Sequence, residues 1–152
     1  MKVFKSLLAV SALSLIMTSG CTVAGDSDAG IIKTLSADQL MEVLSKEGLV
    51  PEKTKETVIR VKMDQVGVLF FVSDSKENIQ AYAGFESDNT TCAKVNQWNA
   101  DKRFSRAYLD DDDDPVIELD LDLEGGITQE RLIDFITTVR HSVVGFKKHI
   151  YD

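Results

Sequence analysis

Between Ser36 and Gly48 apolar residues recur at Leu40, Val43 and Leu44, the spacing of one helical face. Gln39 follows Ser36 by three residues, the form of a capping box, and Gly48 ends the pattern, so a helix is predicted between them. Pro51 and the Glu/Lys run to Glu56 read as a solvated connection. Residues 58–63 then alternate, with Ile59, Val61 and Met63 on one face and Val58, Arg60 and Lys62 on the other, which predicts a half-buried strand. Residues 66–72 are apolar at both parities, the mark of a strand that is central in its sheet or covered on both sides. Ser73-Asp74-Ser75 and Glu77-Asn78 supply a turn, after which Ile79, Ala81, Ala83 and Phe85 alternate with Gln80 and Tyr82.

The helical period returns over residues 88–100, with Cys92, Val95 and Trp98 on one face. Residues 105–110 and 116–123 form a hairpin around five consecutive Asp, with Ile117, Leu119, Leu121 and Leu123 facing one way and Glu118, Asp120 and Asp122 the other. Matching the apolar faces suggests a register with Leu109 opposite Ile117, Ala107 opposite Leu119 and Arg106 opposite Asp120. Gly125-Gly126 turns the chain, and Thr128 caps a long last helix. Its seam of Leu132, Ile136, Val139, Val143, Phe146 and Ile150 runs over about five turns. The predicted order is α-β-β-β-α-β-β-α: an α+β domain, an antiparallel sheet with helices on one face.

The first residues have a different character. Lys2 and Lys5 precede an apolar run over residues 7–17, which is too short for a bilayer span of about 20 residues but fits a secretory signal over 1–20. Residues 17–21, Met-Thr-Ser-Gly-Cys, resemble a bacterial lipobox ending at a lipidatable Cys21, although Thr18 stands where that pattern prefers Leu. Cleavage after Ala24, behind Thr22-Val23, is the alternative. Residues 21–35 then serve as a flexible linker and residues 36–152 as the domain. The expected address is outside the cytoplasm, as a periplasmic protein or an outer-membrane lipoprotein.

Charge narrows the choice of partner. After Cys21 the chain carries 15 Lys and Arg against 25 Asp and Glu, a net of −10. A body that acidic repels nucleic-acid phosphates and anionic headgroups, so no nucleic acid is expected, and membrane contact only through a lipid on Cys21. Cys92 is the one thiol of the domain and reads as a small apolar helix residue.

Catalytic chemistry has little to work with. The Asp110 to Asp114 run ends at Pro115 and lacks the spacers, the Gly and the final Glu ligand of a calcium loop, so it reads as a solvated hairpin turn. Glu118, Asp120 and Asp122 share a strand face, but alternation explains them and Arg106 offers a partner. His141 and His149 are eight apart, not the i, i+4 of a helical metal pair, and read as exposed. No catalytic residue, metal or cofactor is assigned. One surface is left: Phe104, Arg106 and Tyr108, with Lys62 and Tyr82 beside them, combine aromatics and Arg in the way of binding hot spots. A protein or peptide partner, or a second copy in a homodimer, is the expected occupant.

Lys94-Val95-Asn96-Gln97-Trp98-Asn99, continuing through Arg103-Phe104 to Leu109, resembles the hallmark segment of the YbjN-domain family. Ala83-Gly84-Phe85, Asp114-Pro115-Val116 and the Leu123-Glu124-Gly125-Gly126 turn extend the likeness over residues 36–150. The resemblance implies a bacterial regulator linked to sensory transduction and a sandwich similar to type III secretion chaperones; export rests on the leading segment alone. It also raises a chaperone-like, peptide-holding role as an alternative. It implies no catalytic residue and no cofactor; a hydrolase built on the acidic strand is the remote competitor.

Overall fold

The computed structural model describes residues 30–152. The signal segment, Cys21 and the Ala24 cleavage position lie outside the described residues. The elements are α1 (Ala37–Lys46), β1 (Glu52–Lys55), β2 (Val58–Met63), β3 (Val66–Val72), β4 (Asn78–Gly84), α2 (Cys92–Asp101), β5 (Arg106–Leu109), β6 (Pro115–Asp122) and α3 (Gln129–Tyr151). The six strands form one antiparallel sheet in the order β1-β2-β3-β4-β6-β5. This is the expected α+β architecture with one strand more. β1, read as a connection, pairs Glu52 with Arg60 and Lys53 with Ile59 and carries a bulge before Lys55. An edge strand of sequence Glu-Lys-Thr-Lys needs no apolar face, and its charges and bulge discourage edge-to-edge association.

The capping box of α1 forms: Ser36 N donates to Gln39 Oε1 at 2.8 Å and Gln39 N to Ser36 Oγ at 3.3 Å. Beyond the helix Gly48 takes φ 77°, where its N–H bonds Ser45 O and that of Leu49 bonds Leu44 O, a Schellman ending. The core lies between one sheet face and the helices. Ile59, Val61, Met63, Val68, Phe70, Ile79, Ala81, Ile117 and Leu119 on the sheet are all buried. Leu40, Leu44, Trp98 and the whole predicted seam of α3, with Phe135 added, cover them. Phe146 meets Trp98 edge-on at 5.3 Å and Phe85 at 5.7 Å. The strand that is apolar at both parities, β3, is central rather than covered on both sides. Gly67 on its second face is exposed, and Leu69 and Phe71 are half-buried.

The β5–β6 register differs from the expected one by two residues. Arg106 faces Glu118, Ala107 faces Ile117 and Leu109 faces Pro115. The turn decides it. Asp110 N bonds Asp114 O at 2.9 Å, Asp113 N bonds Asp110 O at 3.1 Å, and Asp113 sits in the left-handed region at φ 63°. This is a three-residue hairpin loop closed by a left-handed residue, a conformation Asp tolerates. A shift of two preserves every face, so the apolar pattern alone does not choose between the registers.

The Asn-Gln-Trp-Asn segment turns out to be a structural staple. Asn99 Nδ2 donates to Ala107 O at 2.8 Å, and Ala107 N donates to Asn99 Oδ1 at 2.9 Å. The side-chain amide thus behaves like an extra strand on the outer edge of β5. Trp98 Nε1 donates to Ser105 Oγ at 3.0 Å beside it. α2 itself begins later than expected, because Thr91 takes the N-cap role and accepts from Lys94 N at 3.2 Å. Cys92 is therefore in the first turn and exposed, not an apolar filler. The tail of the expected linker is seated as well. Ile32 and Ile127 exchange two backbone hydrogen bonds of 2.8 and 2.9 Å, and Leu35 is buried.

Candidate functional site

The sheet face away from the helices carries the chemistry. Pairing places Arg60, Leu69, Tyr82, Glu118 and Arg106 in one row across β2, β3, β4, β6 and β5. Val58, Phe71, Gln80 and Asp120 form the next row. On the other side Gly84, Val116 and Tyr108 align. Gly84 matters because Tyr82 lies along its own strand there: a Cβ at position 84 would stand 3.1 Å from the Tyr82 hydroxyl. Tyr82 also meets Phe71 edge-on at 6.3 Å.

Glu118 is the hub. Its side chain is only 7% exposed, yet both oxygens are satisfied. Arg106 pairs with Oε2 through Nη2, and the Tyr108 hydroxyl donates to Oε1 at 2.9 Å. The Arg106 guanidinium stands 5.7 Å over the Tyr108 ring, leaving its outer surface to solvent at 67% exposure. Burial and then the bond to Glu118 push the Tyr108 phenol up to about 12. Burial, with the charges of Asp110, Glu118 and Asp114, raises Tyr82 as well. The pairing with Glu118 raises Arg106 further above its ordinary value. One buried carboxylate thus orients a guanidinium and a phenol, Arg106 and Tyr108, beside the Tyr82 ring.

The other carboxylates of the acidic strand and of the hairpin loop are hydrogen-bonded as well. Asp120 Oδ1 accepts from Gln80 Nε2 at 3.1 Å, and Asp122 Oδ1 accepts from Glu124 N at 2.8 Å. In the Asp run, Asp110 Oδ1 accepts from the backbone of Asp112 and Asp114, each at 3.0 Å, and Asp114 Oδ1 from Ser87 N at 3.2 Å. Asp110, Asp114 and Asp122 bind loop backbone, while Asp120 makes a cross-strand pair with Gln80. Among the described residues no group of three or more His, Cys, Asp or Glu is placed to hold a metal ion.

Of the five predicted surface residues, the structure gathers Arg106, Tyr108 and Tyr82. Phe104 departs. It is 79% exposed, and a backbone φ of 67° breaks the strand alternation before β5. It lines a hollow with Leu119, Asp120, Phe135 and Arg131, between the end of β6 and α3. Lys62 pairs with Gly67, one row and two strands from Tyr82, and borders Leu49 and Val50 instead. Arg60 holds the place in Tyr82's row. Glu118 was weighed only as an acid, with Arg106 assigned to Asp120; the two-residue register shift makes it the organiser. His149, expected to be exposed, is half-buried, with Nε2 2.7 Å from Lys94 O and its ring 5.6 Å from that of Trp98.

A family model described as "Putative bacterial sensory transduction regulator", YbjN, matches residues 36–152. Among solved structures, the crystal structure of YbjN from E. coli, "a putative transcription regulator", superposes with a TM-score of 0.61. It shares 20% identity and covers 74% of this chain and 88% of its own. At that identity the likeness speaks for the fold. No curated protein matches the chain.

Proposed function

The chain belongs to the YbjN family, and we propose that it is a regulatory binding module which docks a protein or peptide partner on its open sheet face outside the cytoplasm. The observation that carries this reading is the Arg106–Glu118–Tyr108 cluster beside Tyr82. Aromatic rings and a guanidinium are the side chains that dominate interface energies, and here the buried carboxylate orders two of them before any partner arrives. Pre-ordering lowers the entropy lost on association. Strand addition is the weaker route, since Asn99 occupies the edge of β5 and charge and a bulge blunt β1.

The address rests on Lys2, Lys5 and the apolar run behind them, with Cys21 as a lipid attachment point that would bring the domain to a membrane surface. Among the described residues no helix is long and apolar enough to cross a membrane. The net charge of −10 after Cys21 favours a protein surface over nucleic acid.

The test is affinity capture of the full chain from its own cells after mild crosslinking, for the parent and a Tyr82→Ala/Arg106→Ala pair whose fold is checked by circular dichroism. Loss of two hot-spot side chains weakens docking by about thirtyfold or more. Equal recovery of the same partner by the folded double variant contradicts the reading. Sedimentation of both forms reveals whether the partner is a second copy.

A further inference from the structure

Asn99 closes the outer edge of β5 and charge and a bulge blunt β1, but part of β6 is left uncovered. β6 runs Pro115–Asp122, whereas β5 pairs only with its residues 115–118. The alternation of the ladder tells which backbone groups remain. Leu123 N donates to Glu77 O at 2.8 Å and Phe85 N to Pro115 O at 2.9 Å, so the odd residues of β6 bond β4. Asn99 takes the N–H and C=O of Ala107, so Arg106 and Tyr108 are the β5 residues that bond Glu118 and Val116. Asp120 and Asp122 therefore turn an N–H and a C=O each into the lane that β5 would fill if it began earlier. No hydrogen bond joins these groups to another described residue.

Phe104 keeps the lane empty. A longer β5 would set Phe104 opposite Asp120; instead it takes φ 67°, a conformation disfavoured for an aromatic residue, and leaves the line of the strand. Its exposed ring borders a hollow of about 390 Å³, with Asp120, Asp134 and Thr138 also on the rim and Leu119 and Phe135 buried beneath. Charge then selects what can pair here. Asp120 and Asp122 are exposed, and each uses one oxygen, toward Gln80 and toward Glu124 N. A second copy of β6 would set aspartate against aspartate, so this edge disfavours itself and favours a strand with cations at those two positions. The nearby cations do not compete: Arg106 is paired with Glu118 and Arg131 with Asp134.

We infer that the end of β6 is a strand-addition site for an extended basic segment of a partner protein, of pattern basic–apolar–basic, running antiparallel to β6 in the lane ahead of β5. The two basic residues stand opposite Asp120 and Asp122, exchange backbone hydrogen bonds with both, and lay their side chains beside the two carboxylates. The residue between them points to the α3 side, over the hollow that the Phe104 ring borders. The site uses backbone and carboxylates that the Arg106–Glu118–Tyr108 cluster leaves aside.

The test is two-dimensional NMR of the full chain, read at the amides of β6. Without peptide, Asp120 and Asp122 exchange their amide protons fast beside Leu119 and Leu121. The peptide acetyl-Thr-Lys-Val-Lys-Thr-amide is then titrated to millimolar concentration, and saturable shifts at Asp120 and Asp122 are the expected result. Methylating both lysine amide nitrogens removes the two donors that face β6 and weakens binding about tenfold or more. The same peptide with Glu for both lysines also binds more weakly, and the folded Asp120→Lys/Asp122→Lys variant reverses that preference. Four results overturn the assignment: slow exchange at Asp120 and Asp122, no shift there with the lysine peptide, equal binding of its methylated form, or a preference that the folded charge-swapped variant retains.

Discussion

Replacing Asn99 tests the staple between α2 and β5. Asn99→Ala removes two hydrogen bonds, of 2.8 and 2.9 Å, to the N–H and C=O of Ala107. At about 1 kcal/mol net for each, the loss is about 2 kcal/mol; water reaching the freed edge prevents a larger penalty. For a domain of this size that lowers Tm by about 8 °C. The sharper variant is Asn99→Asp, nearly identical in shape. A carboxylate there still accepts from Ala107 N, but its second oxygen faces Ala107 O with no proton between them. Below neutrality the introduced carboxyl regains a donor, so its pKa in the folded state is raised above its unfolded value. The sign follows: the folded state binds the extra proton, so its stabilising contribution is complete below the unfolded pKa of about 3.9 and disappears as pH rises through the folded one. Urea denaturation from pH 4 to 8 gives the readout. Asn99→Asp is at least as destabilised as Asn99→Ala at pH 8, and the gap closes or reverses toward pH 4. A change of under about 0.5 kcal/mol in Asn99→Ala, or a gap between the two variants that does not depend on pH, refutes the staple.

Tyr108 gives a spectroscopic check. With its phenol at about 12, ultraviolet titration shows this tyrosine ionising late, and the neutral phenol's contribution to stability is complete below pH 10 and lost as pH rises through 12. Glu118→Gln moves that ionisation down, because it removes the negative charge beside the phenol; an unmoved titration contradicts the assigned bond. Phe146→Ala empties a fully buried aromatic position packed against Trp98 and Phe85, and costs about 3–5 kcal/mol in chemical denaturation. Ser36→Ala removes one arm of the α1 capping box and costs about 1 kcal/mol by the same assay.

Patterning carried the strands and helices well, since side-chain parity and the helical period depend only on which positions are apolar. Ile59, Val61 and Met63 are all inside, and so is every member of the α3 seam. What escaped was information that parity does not hold. The β5–β6 register moved by two, which leaves all faces unchanged, and five identical residues gave no Gly to mark Asp113 as the left-handed position. β1 has no apolar face to see. At the candidate surface, Arg106, Tyr108 and Tyr82 were legible from alternation. Phe104 was misplaced because its positive φ interrupts the strand, and Glu118 was misread because its role depends on the register.

Partner docking on the open sheet face is tested most directly by a photo-reactive residue, p-benzoylphenylalanine, introduced in cells at Tyr82 and, separately, at Arg131 on the helix side. Illumination of the Tyr82 form is expected to yield one discrete adduct, a distinct protein or a second copy, that the Arg131 form does not yield. No adduct from position 82, or the same adduct from both positions, contradicts the assignment of this face.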